Sequence, residues 1–262
     1  MQRRLFLATG AAATLARPAL AAVEGPLGGT LQVLTYHRFE RREKPPGTVV
    51  SPVLFAEQMT WLARGAIPVV GLRESIKLAT GEAVTTPSVA ITADDGWRSV
   101  YTEMFPVILK HRFPVTLFLN PPMIGRGGAY LTWAMVAELK ASGLFDIQAH
   151  TLSHPNFNEE RRKRTPENYA AFIKHELADG RAMLEDKIGA KVDQLCWPFG
   201  IHNAQLEQAA VDAGYVASYA LGSRPVVAGS PVQALPRSQI YETDGTARFA
   251  WMAEGHSRKP TA

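Results

Sequence analysis

The chain has 262 residues, of which 46% are hydrophobic, and its formal net charge is +4 at pH 7. Three arginines and no acidic residue fall within residues 1–21, so the remaining chain carries 4 − 3 = +1, and the basic pI of about 9.2 does not indicate a nucleic-acid partner. Residues 22–262 suffice for one domain with its own core, contain no apolar run long enough to cross a membrane, and hold one cysteine, which excludes an internal disulfide.

The N-terminal segment has the order of features found in export signals. Arg3 and Arg4 precede a short apolar stretch and an alanine-rich run that ends in a small-x-small cleavage site at Ala21. Paired arginines suit the twin-arginine route. We therefore expect residues 1–21 to be an export signal peptide, and residues 22–262 to act in the periplasm or outside the cell after cleavage near Ala21. The alternative is a frayed N-terminal helix of a cytoplasmic protein.

Short apolar runs alternate with amphipathic segments along the rest of the chain. The runs predict strands at 31–36, 67–70, 88–92, 115–119, 145–149, 194–197, 216–220 and 235–240. Between them, Ser51, Thr165 and Asn203 are predicted helix N-caps, each followed by apolar residues at helical spacing. The alternation predicts an α/β fold, which we interpret as a single-domain distorted or partial (β/α) barrel with seven or eight strands. A doubly wound sheet would produce a similar pattern.

The candidate functional residues all fall at the ends of predicted strands or just past them. They are His37, Asp94, Asp95, His150, His154, Phe199, His202 and Arg237. In (β/α) barrels, reactive groups lie at the carboxyl ends of the strands, where residues remote in sequence share one mouth. The distribution therefore favours the barrel and predicts a single site.

Two short motifs among these residues are suited to holding a metal ion. Asp94 and Asp95 precede Gly96, a pattern that is also typical of an ordinary turn. His150 and His154 are four residues apart, so one helical turn would place both imidazoles on one side, although a surface turn has the same spacing. Together the motifs supply a carboxylate and two imidazoles, which leaves coordination positions open for water and substrate. We expect one divalent ion, with zinc favoured and cobalt, nickel or iron as alternatives, and one aspartate left to handle a proton.

In the order and spacing of three motifs, residues 30–240 resemble the polysaccharide deacetylases with a NodB homology domain, carbohydrate esterase family 4. The motifs are Thr92 to Gly96, His150 to Pro155 and Pro198 to Gly200. The resemblance implies a catalytic base, three metal ligands and a backbone oxyanion donor, which are respectively Asp94; Asp95, His150 and His154; and the N–H of Phe199.

The chain departs from the family pattern in its later motifs. Cys196 stands where many members have an arginine, an Asp/Trp motif is not evident, and Arg237 stands where the family has the histidine of a Leu-x-His motif. We hypothesise that Arg237 supplies the electrostatic tuning of the missing arginine. Tyr36 and His37 resemble the branch that acts on poly-β-1,6-N-acetylglucosamine, which implies His37 as the general acid. Trp197 and Tyr36 are further candidates for substrate binding.

These features predict a metal-dependent hydrolase that removes N-acetyl groups from an N-acetylglucosamine-containing polysaccharide and releases acetate. Poly-β-1,6-N-acetylglucosamine is the favoured substrate, and peptidoglycan and acetylated xylan are the alternatives. A non-haem iron oxygenase would use the same ligand types. A non-catalytic glycan-binding relative would account for the altered late motifs. We expect a monomer without a nucleic-acid partner.

Overall fold

The computed structural model describes residues 29–42, 47–65, 67–82 and 86–256. Within them the strands are β1 (Leu31–Tyr36), β2 (Arg38–Phe39), β3 (Val49–Val50), β4 (Ser88–Asp94), β5 (Val115–Leu119), β6 (Phe145–Ala149), β7 (Gln194–Cys196), β8 (Ala217–Leu221) and β9 (Leu235–Gln239). Seven of these strands, β1 and β4 to β9, are parallel and close into a barrel in that order. The short strands β2 and β3 form a separate parallel pair. The predicted (β/α) barrel is confirmed, and the doubly wound sheet is excluded.

Helices connect the barrel strands and cover the outside of the barrel. They are α1 (Pro52–Arg64), α2 (Glu74–Ala79), α3 (Phe105–His111), α4 (Trp133–Ala141), α5 (Phe157–Arg162), α6 (Pro166–Lys174), α7 (Gly180–Ile188), α8 (Ala204–Asp212) and α9 (Gly245–Ala253). The predicted N-caps are present, since the side chains of Ser51, Thr165 and Asn203 accept hydrogen bonds from backbone N–H groups in the first turns of α1, α6 and α8. No helix of the described residues is long and apolar enough to cross a membrane.

The barrel closes with seven strands because the predicted strand at 67–70 forms only one bridge, Val69 to Val89. Pro68 has no N–H to donate, which prevents a longer ladder at this point. The barrel is also distorted, since β6 and β7 are joined through the single pair Ala149 and Leu195. The predicted export signal, residues 1–21, lies outside the described residues.

The barrel strands contribute side chains to two hydrophobic clusters, because successive residues of a strand point to opposite faces. The larger cluster packs between the strands and the surrounding helices. The smaller one includes Val33, Ala90, Phe118 and Cys196, which alternate along their strands with residues of the larger cluster and therefore fill the barrel interior. The carboxyl ends of the strands, above this interior cluster, carry polar and charged side chains instead.

Candidate active site

A cavity of about 220 Å³ opens at the carboxyl ends of the barrel strands. Its lining residues are His37, Thr48, Asp94, Asp95, His150, His154, Trp197, Phe199, Gly200, Leu221, Arg237 and Gln239. The fold thus brings together every predicted site residue except Tyr36 and His202, and His202 Nδ1 instead lies 2.8 Å from Glu207 Oε1. A larger cavity of about 830 Å³, beside α1 and α3, is lined by none of the predicted site residues.

Asp95, His150 and His154 form a cluster whose potential ligand atoms all lie within 4.8 Å of one another. Asp95 Oδ1 is 3.4 Å from His150 Nε2 and 3.6 Å from His154 Nε2. His150 Nδ1 lies 2.9 Å from the carbonyl oxygen of Cys196. A proton on Nδ1 would be donated to that carbonyl, which leaves the Nε2 lone pair directed at the cluster. One carboxylate and two imidazoles converging in this way fit a divalent metal ion with open coordination positions.

The backbone at this site adopts conformations that side chains usually avoid. Among the described residues, five other than glycine have positive φ, and four of these are Asp95 (70°), Thr151 (63°), His154 (57°) and Phe199 (57°). Left-handed backbone at non-glycine residues is uncommon and concentrates at functional sites. The predicted helical turn that joins the two histidines is therefore wrong, because a loop with two left-handed residues brings the imidazoles together.

Two helical residues that no sequence motif indicated, Glu176 and Gly180, contact the loop between the two histidines. The buried carboxylate of Glu176 accepts hydrogen bonds from Leu152 N at 3.1 Å, Ser153 N at 2.8 Å and Ser153 Oγ at 2.6 Å. Gly180, at the start of α7, packs so closely that a Cβ there would lie 2.9 Å from Leu152 N. These contacts fix the strained loop from the side opposite the cavity.

Arg237 forms a bidentate ion pair with Asp94 under the cavity. Arg237 Nη1 donates to Asp94 Oδ1 at 2.9 Å and Nη2 donates to Oδ2 at 2.8 Å, and the two side chains are only 1% and 2% exposed. Burial by itself would raise the pKa of Asp94, but the Arg237 guanidinium, with smaller contributions from His150 and His37, holds it below its ordinary value. Arg237 also donates to Thr92 Oγ1 at 3.2 Å. Asp94 is therefore kept ionised in a buried position.

His37 lies on the other side of the same carboxylate. Its Nε2 is 3.8 Å from Asp94 Oδ2. Burial lowers the pKa of His37, and the nearby carboxylates of Asp94 and Asp95 offset that effect only in part. Its Nδ1 is buried without a hydrogen-bond partner among the described residues. The imidazole is thus placed to exchange a proton with a group bound in the cavity.

The two residues predicted to bind substrate have different positions. Trp197 lines the cavity, but it is buried and its indole N–H donates to Ser218 Oγ at 2.9 Å. Tyr36 does not line the cavity, because it is fully buried and its hydroxyl donates to Gln58 Oε1 at 2.8 Å. The prediction for Tyr36 is corrected accordingly, since it is a core residue behind the site.

The rim of the cavity has an apolar edge and a polar edge that sequence patterns did not reveal. Phe199 and Leu221, 59% and 41% exposed, form the apolar edge at the ends of β7 and β8. Thr48 and Gln239 lie near the ends of β3 and β9 and supply the polar edge. A pyranose ring has apolar C–H faces and polar hydroxyls, so a rim of this composition suits a sugar.

A family model described as polysaccharide deacetylase matches residues 81–218, which is more than half of the chain. The chain belongs to the polysaccharide deacetylase family. It is 26% identical over 162 residues to YxkH of Bacillus subtilis (strain 168), which covers 62% of this chain and 54% of that protein. It is 21% identical over 195 residues to the poly-beta-1,6-N-acetyl-D-glucosamine N-deacetylase of Staphylococcus aureus (strain MRSA252), which covers 73% of this chain and 67% of that protein.

The polysaccharide deacetylase fold is also found among solved structures. IcaB from Ammonifex degensii superposes with a TM-score of 0.74 at 23% identity, covering 86% of this chain and 97% of that chain. The same fold therefore extends well beyond the residues that the family model matches. The chain spans about half the length of YxkH.

Proposed function

We propose that the chain hydrolyses N-acetyl groups of an N-acetylglucosamine-containing polysaccharide, with poly-β-1,6-N-acetylglucosamine as the favoured polymer. The observation that carries the proposal is the Arg237-paired carboxylate of Asp94 beside the Asp95, His150 and His154 cluster in one cavity. In the reaction, a water oxygen adds to the acetamide carbonyl, the C–N bond breaks, and acetate and a free amine leave.

The metal site consists of Asp95, His150 and His154, whose donor set fits zinc and also allows cobalt, nickel or iron. When bound, a divalent ion lowers the pKa of water and polarises a carbonyl oxygen. The carboxylate and the two imidazoles would hold such an ion. The Nδ1 contact of His150 with the Cys196 carbonyl keeps its ligand nitrogen oriented.

Asp94 accepts the proton of the attacking water. Arg237 occupies one lone-pair direction on each carboxylate oxygen, and an ionised carboxylate has about four, so acceptor capacity remains. Because its lowered pKa keeps Asp94 ionised even in mildly acidic solution, the base is available across the neutral range. Arg237 in this way supplies the tuning that an arginine at the position of Cys196 supplies in other members of the family.

Two further groups act on the carbonyl and the leaving amine. The backbone N–H of Phe199 donates to the developing oxyanion, a kind of interaction whose removal costs about 3 kcal/mol in other enzymes. His37 protonates the departing nitrogen, and its lowered pKa makes its protonated form a stronger acid. Phe199 and Leu221 contact the apolar face of the sugar, while Thr48 and Gln239 contact its hydroxyls.

The polymer and the cellular location are part of the proposal. The relative from Staphylococcus aureus is a poly-beta-1,6-N-acetyl-D-glucosamine N-deacetylase, and the Tyr36–His37 pair resembles that branch. The predicted export signal would bring the domain to the periplasm or the cell exterior, where such polymers occur.

Acetate release from defined N-acetylglucosamine oligomers of β-1,6 and β-1,4 linkage tests the proposal. We expect turnover of the β-1,6 oligomers that is lost with a chelator, restored by zinc or cobalt, and absent in Asp94→Asn. Turnover of β-1,4 substrates alone would favour the peptidoglycan alternative. Oligomer binding without acetate release, in the presence of each metal, would instead support the non-catalytic glycan-binding alternative.

A further inference from the structure

The two carboxylate oxygens of Asp95 have different partners. Oδ1 faces Nε2 of both His150 and His154. Oδ2 accepts a hydrogen bond from the indole Nε1 of Trp97 at 3.1 Å. Oδ1, which belongs to the metal cluster, is therefore the oxygen that does not bond to the indole.

The indole ring of Trp97 is itself held in place. The ring of Tyr130 stacks on it with centroids 4.7 Å apart and an interplanar angle of 20°. The guanidinium carbon of Arg38 lies 4.7 Å from the Trp97 ring centroid, and Arg38 is paired with Glu40. Trp97 and Tyr130 also form a backbone bridge. The N–H donor consequently has little freedom to leave Asp95.

We infer that Trp97 is a positioning residue of the metal site, acting through Asp95 and braced by Arg38 and Tyr130. The side chain of Asp95 is 24% exposed, and the terminal torsion of an aspartate is broad, so without a fixed donor the carboxylate would turn in its pocket. The indole N–H removes that freedom before any ion binds. The inference rests on the proposed function only in taking Asp95, His150 and His154 as the metal ligands.

Contacts around Trp97 also connect the metal ligand Asp95 with His37, the proposed acid. Arg38 directly follows His37 in the chain, and the N–H of Phe39 donates to Ser99 Oγ at 2.9 Å, just beyond Trp97. The segment that carries His37 is thus fastened to the loop that carries Asp95. Loss of the Trp97 contact should disturb the metal more than the acid, because only Asp95 bonds to the indole directly.

Metal binding by the apoprotein tests the inference without any substrate. In Trp97→Phe an aromatic ring remains but the indole N–H is lost, and Trp61→Phe, which makes the same change in size, is the matched control, since Trp61 packs against Phe249 away from the site. Outer-shell partners of metal ligands are worth roughly 10–100-fold in affinity. Competition with a chromophoric chelator should show a weaker Kd for zinc by that factor in Trp97→Phe only, with a changed d–d spectrum of bound cobalt(II).

A second variant keeps the inference testable if Trp97→Phe does not fold. Arg38→Met leaves the indole N–H in place and removes one brace, so zinc affinity should fall by a smaller factor. Wild-type Kd and cobalt spectrum in every soluble variant would overturn the positioning role. Failure of the wild-type protein to bind either metal would overturn the metal site of the proposed function as well, which separates the two outcomes.

Discussion

Replacement of Arg237 by methionine would leave the buried carboxylate of Asp94 without its counter-charge. Both side chains are almost inaccessible to water, and Arg237 supplies two hydrogen bonds to the carboxylate. Methionine retains much of the side-chain volume but none of the charge. Breaking a buried ion pair by removing one partner costs about 3–5 kcal/mol, because the remaining charge stays desolvated. For a domain of this size that loss corresponds to a fall in Tm of roughly 6–20 °C.

The pH dependence of stability should change sign in this variant. In the wild-type protein the pKa of Asp94 lies below its unfolded value, so the ion pair stabilises the fold above the unfolded pKa of about 3.9 and is lost as pH falls through the folded pKa. Without Arg237, burial is the largest influence and raises the pKa of Asp94. Arg237→Met should therefore recover part of its lost stability as the solution is acidified through that raised pKa.

Thermal unfolding from pH 4 to 8 and the pH profile of kcat/KM measure these effects. The acid limb of kcat/KM should move to higher pH in Arg237→Met, because the carboxylate of Asp94 is protonated at a higher pH in this variant. The control is Arg237→Met combined with Asp94→Asn, which should regain stability at neutral pH but not activity. If Arg237→Met had wild-type Tm and an unshifted acid limb, the electrostatic account of the pair would be refuted.

Further substitutions separate the remaining roles. Asp94→Asn should retain zinc but lose turnover, whereas His150→Ala should lose both. Metal analysis and an acetate-release assay measure these effects, and equal metal loss in the two variants would contradict the assigned roles. Gly180→Ala should lower Tm and zinc affinity, since its Cβ would meet the loop between the histidine ligands, while Gly128→Ala, with open space around it, should change neither. Leu221→Asp should raise KM for oligomers at least several-fold at unchanged zinc affinity, and an unaltered KM would remove Leu221 from the substrate contacts.

Several strands were predicted to the residue because their apolar runs end sharply at polar or turn residues. The runs 31–36, 115–119 and 145–149 coincide with β1, β5 and β6. The run at 67–70 is equally apolar, yet Pro68 and its position beside β4 allow only one bridge. Local pattern reports how well a segment fits a strand, and the neighbours available for pairing decide whether a ladder forms.

The candidate site was predictable as a set of residue types, since paired carboxylates and spaced histidines after strands indicate metal chemistry without any coordinates. Its internal contacts were not predictable in the same way. Glu176 under the histidine loop occurs in a segment with no motif of its own, and Trp97, whose indole N–H bonds Asp95, stands just outside the motif that ends at Gly96. The role of Glu176 depends on packing between elements that are well separated in the chain, and the role of Trp97 depends on its side-chain rotamer.

The sequence by itself determined the α/β class, the order of the elements and the chemical identity of the residues at the barrel mouth, because periodicity and residue type are local properties. Tertiary structure alone decided the closure with seven strands, the left-handed loop that brings His150 and His154 together, and the buried bidentate contact between Asp94 and Arg237, which are 143 residues apart. Those features depend on distances between remote segments and on the exclusion of water around buried charges, and both exist only once the barrel has closed.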